Sequence, residues 1–126
     1  MALPLNRPVH EAQICESTTS IATSPLSASA VVPNAGYVQR VMAASGGTTT
    51  GTITVAVSIN GGSDIAAGAL TIAAGSGNNG SSSVTFPLTG ANAIAVNEGD
   101  YVVFTPSGGT GASIPGAFTM VIRQLA

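Results

Sequence analysis

Lysine and tryptophan are absent from this chain, cysteine occurs once, and charged residues make up 6% of its 126 positions, where an ordinary soluble domain carries about 25%. Each shortage excludes something. Binding to a nucleic-acid backbone needs clustered cations. The arginines Arg7, Arg40 and Arg123 are far apart in sequence and the pI is near 4.9, so no nucleic-acid partner is expected. Cys15 has no second cysteine to pair with, so packing and contacts with other chains must supply stability. It reads as a small buried hydrophobe rather than a reactive thiol. The mean hydropathy of +0.44 comes from Ala and Val interrupted by Gly, Ser, Thr or Asn. No run approaches the roughly 20 apolar residues of a membrane span, and no membrane partner is expected. The start, Met1-Ala-Leu-Pro-Leu-Asn-Arg-Pro8, lacks the apolar run of a secretory signal, and the mature chain is expected to begin at or near Met1.

What is present argues for a folded domain. A hydrophobic content of 44% with a net charge of -2 is the reverse of the disordered signature, and 12.2 kDa suits a single domain with one core. Two textures divide the chain. Residues 1–34 hold Pro4, Pro8, Pro25 and Pro33 and a Ser/Thr/Ala-rich stretch. Because proline withholds a backbone donor, this part reads as an extended N-terminal arm with short strands near Val9 to Glu16 and Ala28 to Val32. Residues 35–126 read as strands and Gly-rich turns. The clearest strand is Thr52 to Ile59, where Ile53, Val55, Val57 and Ile59 share one face. It ends in Asn60-Gly61-Gly62, a tight hairpin signal, with a return strand over Ile65 to Ala73. Further strands are predicted at Tyr37 to Ala44, Ser82 to Leu88, Ala93 to Val96, Tyr101 to Thr105 and Phe118 to Leu125. Short strands at this spacing predict an all-β fold, a single-domain β-sandwich or jelly roll. Val55, Val57, Phe104 and Ile122 are expected in its core.

Chemistry-bearing motifs are few. Gly75-Ser-Gly77-Asn-Asn-Gly80 matches a dinucleotide fingerprint by letters, but a strand-like segment follows where a helix N-terminus is required. The acid/base inventory is His10, Glu11, Glu16, Asp64, Glu98 and Asp100. Glu98 and Asp100 sit in a tight turn, where Asp commonly bonds its own backbone. His10 and Cys15 fall on opposite faces of one strand, and the ligand count excludes a zinc site. No catalytic, cofactor or metal residues are assigned, and no enzyme activity is expected.

The order Gly36-Tyr-Val-Gln-Arg-Val41, the Ile53 to Gly61 hairpin arm, then Ile94-Ala-Val96-Asn-Glu-Gly99-Asp100-Tyr-Val102-Val-Phe104 and the closing Phe118 to Ala126 strand resembles the small jelly-roll decoration, or cement, proteins that coat the heads of tailed bacteriophages. The resemblance implies a structural virion protein on the capsid exterior, made in the host cytoplasm. It also implies a homotrimer that bridges subunits of the major capsid protein and needs no cofactor. The Pro-rich arm would then reach a neighbour, offering Leu3, Leu5, Val9 and Ile14 as apolar anchors, with Tyr37 and Tyr101 as further interface candidates. On this reading, loss of Met1 to about Ser24 leaves the β domain folded. The alternative is a receptor- or glycan-binding β-sandwich module of a phage fibre or adhesin.

Overall fold

Alternating side chains dictate most of the architecture. The computed structural model describes residues 11–75 and 80–124. Every regular element there is a strand: β1 (Glu11–Thr18), β2 (Ala28–Val31), β3 (Gly36–Ser45), β4 (Ile53–Ile59), β5 (Thr71–Ile72), β6 (Ser81–Thr85), β7 (Ala95–Val96), β8 (Tyr101–Ser107) and β9 (Gly116–Gln124). They form two antiparallel sheets packed as a single-domain β-sandwich. The first runs β1-β9-β3-β6, with β7 also paired to the start of β3, and the second runs β2-β8-β4-β5.

The core lies between the sheets. β4 turns Ile53, Val55 and Val57 fully inward, β8 contributes Val102 and Phe104, and β9 contributes Phe118, Met120 and Ile122. Phe104 and Phe118 come from opposite sheets and stack with ring centroids 5.1 Å apart and planes within 6°, a separation typical of offset aromatic pairs. All four positions expected in the core are buried there. In β3 the register against β9 slips between Val38 and Arg40. This bulge at Gln39 resets the period-2 alternation, so Val38 and Val41 both face the core.

Residues 11–34, read from sequence as arm, lie within the sandwich. β1 pairs with β9 along its whole length, from Glu11 opposite Arg123 to Thr18 opposite Gly116. β2 pairs with β8, Ala28 opposite Phe104. Pro25 and Pro33 flank β2 on either side, so they bound it instead of preventing it. Ile21, Ala22 and Val32 are fully buried. The connection between β1 and β2 is folded on Thr18, whose hydroxyl donates to Leu26 O at 2.9 Å. Residues 1–10, with Leu3, Leu5 and Val9, lie outside the described residues.

The β4 hairpin turns as expected: Asn60 and Gly61 both have positive φ, 53° and 76°, as a type I′ turn requires, and Gly62 N donates to Ile59 O at 3.0 Å. The return strand is shorter than Ile65 to Ala73, because Asp64 gathers the chain into a loop. Its Oδ1 accepts from Val57 N at 2.9 Å and Ala66 N at 3.0 Å, and its Oδ2 from Gly68 N at 2.9 Å. Only Thr71 and Ile72 rejoin the ladder.

The registers place the connections at two ends. Residues 19–27, 46–52, 73–75 with 80, and 108–115 share one end, beside Thr18, Ser45 and Gly116. Residues 32–35, 60–64, 86–94 and 97–100 occupy the other.

Two outcomes check this arrangement. Val57→Ala is expected to cost about 1 to 3 kcal/mol by lost burial and a residual cavity, and Phe118→Ala about 3 to 5 kcal/mol, read from denaturant midpoints. Deleting residues 1–24 removes β1 and Ile21, so the remaining chain is expected to lose its cooperative transition; an unchanged transition would contradict the observed role of β1.

Candidate functional site

Two turns meet at one end of the sandwich and hold most of the polar chemistry there. The β7–β8 turn bends through Glu98 and Gly99, with Gly99 at φ 90° and Asp100 N donating to Asn97 O at 3.1 Å. Asp100 Oδ2 accepts from Asn97 N at 2.8 Å. Its Oδ1 accepts from Asn60 Nδ2 at 3.0 Å. Asn60 Oδ1 in turn accepts from Tyr101 N at 2.8 Å, and Asn60 N donates to Tyr101 O at 2.7 Å. The Asn60 amide thus joins the tips of the β4 hairpin and the β7–β8 turn. Asp100 is lowered below its ordinary carboxylate value, first by the Asn97 backbone bond and then by the Asn60 amide. Both carboxylate oxygens of Asp100 accept hydrogen bonds from turn groups, as do those of Asp64 within its own loop.

Next to this clamp, Tyr101 is 49% exposed and stands opposite Val31, which is 60% exposed. The two form an apolar step on the outer face of the second sheet, continued by half-buried Val103. The rest of that face is Ser29, Thr54, Ala56, Ser58, Thr71, Thr105 and Ser107, without a charged side chain.

The outer face of the first sheet differs. Arg123 on β9 lies between Glu11 on β1 and Tyr37 on β3. Arg40 lies between Val121 and Thr85. Tyr37 is half-buried, whereas Val121 is buried. Arg123 Nε and Gln39 Oε1 are buried without a hydrogen-bond partner. Cys15 also lies on this face and is exposed; Thr119 Oγ1 approaches its sulfur at 3.8 Å. This corrects the buried-hydrophobe reading: Ile14 takes the inward position of β1, and alternation turns its neighbour outward.

Of the interface candidates, Tyr101 is exposed and Tyr37 half-exposed, on opposite sheets, and the structure does not bring them together. Ile14 is 6% exposed within the core, so it cannot anchor a neighbouring subunit. His10 falls outside the described residues. Among the described residues, no group of three or more His, Cys, Asp or Glu is placed to hold a metal, and no helix is long and apolar enough to cross a membrane. Sequence reasoning placed Asp100 in a backbone-bonded turn but missed Asn60 as its partner. Asn60-Gly61 signals its own turn, whereas its bond to a residue 40 positions away arises only once β4 and β8 are paired.

Compared with known family models and with curated proteins, the chain matches none.

The clamp predicts a pH dependence. A carboxylate held below its ordinary value favours the folded state when ionised. That contribution is fully present above pH 3.8, the unperturbed value, and fades as the pH falls through the lowered folded-state value. Asp100→Ala is expected to lower the thermal midpoint at neutral pH, with the difference from the intact protein shrinking as pH falls through and below 3.8. A difference constant from neutral pH into that range would refute the assignment.

Proposed function

We propose that the chain is a structural virion protein that decorates and stabilises a tailed-phage head, bridging subunits of the major capsid protein as a homotrimer on the capsid exterior. The observation that carries this reading is a β-sandwich whose second sheet presents an outer face without a charged side chain, while the carboxylates of Asp64 and Asp100 hold turns together. Neutral hydroxyl and methyl surfaces make contacts that salt does not screen. Repeated over a lattice, modest individual contacts add up to stable attachment.

The sheet edges support association with other chains. β6, at one edge of the first sheet, is Ser81-Ser-Ser-Val-Thr85, with no charge and no proline to oppose strand pairing. Ser45 N donates to Gly80 O and Phe86 N to Gln39 O. The even-numbered residues of this strand therefore face β3, and the backbone groups of Ser81, Ser83 and Thr85 point away from it. Closed threefold association gives such an edge a partner.

A second reading has one observation in its favour. Exposed Tyr101, whose backbone N donates to Asn60 Oδ1 and which follows Asp100 in the chain, combines an apolar ring with nearby polar groups, a pairing suited to sugars. A receptor- or glycan-binding module would use that corner.

Light scattering at micromolar concentration is expected to give three times 12.2 kDa. The protein is expected to co-sediment with empty heads assembled from the shell protein alone, with little change between low and physiological salt. A stable monomer, or no co-sedimentation, would count against decoration, and glycan-array binding abolished by Tyr101→Ala would favour the second reading.

A further inference from the structure

Charge is segregated along the long axis of the sandwich. Glu11 and Arg123 face each other across β1 and β9 at one end, Arg40 sits beside Thr85 in the same half, and Asp64, Glu98 and Asp100 occupy the turns of that end. At the opposite end, residues 19–27, 46–52, 73–75 with 80, and 108–115 contain no charged side chain. Among the described residues, Glu16, half-buried on β1, is the charged group nearest to that end.

The neutral end is also tied together. Ile21 N donates to Ile114 O at 2.7 Å, Gly46 N to Pro115 O at 2.8 Å and Gly75 N to Thr49 O at 2.8 Å. The hydroxyls of Thr50 and Thr110 are 2.7 Å apart, and Thr23 Oγ1 donates to Gly111 O. Two glycines permit the close approach: a Cβ on Gly51 would lie 2.6 Å from Gly108 O, and one on Gly109 would lie 2.8 Å from Ala22 Cα. Loops fixed in this way lose little further freedom on binding, so more of the contact energy is retained as affinity. From this platform Leu26 projects, 54% exposed, with exposed Pro25 and Pro115. A shallow depression lined by Ala44, Gly46, Pro115 and Ala117 opens beside it.

We infer that this charge-free end is the surface that docks on the shell, against a patch of the shell protein that is itself uncharged and rich in small apolar and hydroxyl side chains. The inference rests on the decoration reading and names the face through which it works. An uncharged occupant follows from the surface. A partner's Lys or Glu laid on these loops would lose its water and meet no opposite charge. The competing exposed apolar pair, Val31 and Tyr101, stands beside Asp100 and Glu98, where a neutral partner would have to dehydrate carboxylates. That end therefore faces solvent.

The test uses full-length protein and empty heads assembled from the shell protein alone. In a Cys15→Ser background, single cysteines are placed at the neutral end by Ser113→Cys and at the charged end by Ala91→Cys, both exposed positions. Binding to heads is expected to slow reaction with a charged maleimide at position 113 by at least about tenfold, as in the water-excluding centre of an interface. Position 91 should react as in free protein. Leu26→Lys and Ser113→Lys, surface changes that leave the core and the loop ties intact, are expected to weaken co-sedimentation at least about tenfold by bringing an unpaired cation into the contact. Ala91→Lys should bind as the intact protein does. Protection at position 91, protection at neither position, or undiminished binding by both lysine variants overturns the inference while leaving decoration standing. If the intact protein does not sediment with heads, the decoration reading fails and the docking face fails with it.

Discussion

With one cysteine and few charges, the apolar layer between the two sheets is what chiefly holds the nine strands of the described residues as one body, and within it Phe104 and Phe118 stack across the layer. The two rings come from β8 and β9. Each strand is central in its own sheet, β8 between β2 and β4 and β9 between β1 and β3. Fixing this pair fixes how the sheets face each other, and the flanking aliphatic residues follow by alternation. The bulge at Gln39 serves the same layer, since without it Val38 and Val41 could not both point inward. Close packing of this kind tolerates neither a void nor an extra methylene. The outer face of the second sheet, by contrast, carries small hydroxyl and methyl side chains beside Val31, Tyr101 and Val103.

That contrast explains which features the sequence revealed. β4 was legible because large apolar side chains alternate with the small Thr54, Ala56 and Ser58, and β8 because an apolar run, Tyr101 to Phe104, follows a turn. Turn chemistry at Asn60-Gly61 and Glu98-Gly99-Asp100 located their ends. Pairing partners were not legible, because period-2 alternation identifies the buried face of a strand and not its neighbour. In residues 11–34 the two short strands were legible, but composition hid that both belong to the sheets of the sandwich. A run of Ser and Thr between prolines resembles a solvated arm, yet Thr18 and Ser20 are buried and bonded within their own loop, as hydroxyls can be when the backbone supplies partners. Asp64 concealed itself differently. A single carboxylate accepting three amides shapes a loop that no apolar pattern announces.

The candidate site was half legible for the same reason. Asp100 belongs to a local turn and could be read locally. Its bond to Asn60, the exposure of Tyr101 beside Val31 and the separation of charged from neutral ends all depend on which connections the topology gathers at each end. No short window of sequence contains that information. The charged residues are scattered along the chain, and only the strand registers collect them.

The pairing of β1 with β9 carries a consequence for synthesis. Cys15 and Thr119, neighbours across that ladder, are 104 residues apart in the chain. β1 leaves the ribosome well before β9 and waits for it before its backbone donors and acceptors find their native partners. Ladders closed over such separations form slowly, and a nascent strand left unpaired can meet another chain instead. In β1, Glu11 and Glu16 are the charges available to discourage that encounter. The interval in which β1 lacks β9 is thus when this chain is most exposed to misassembly.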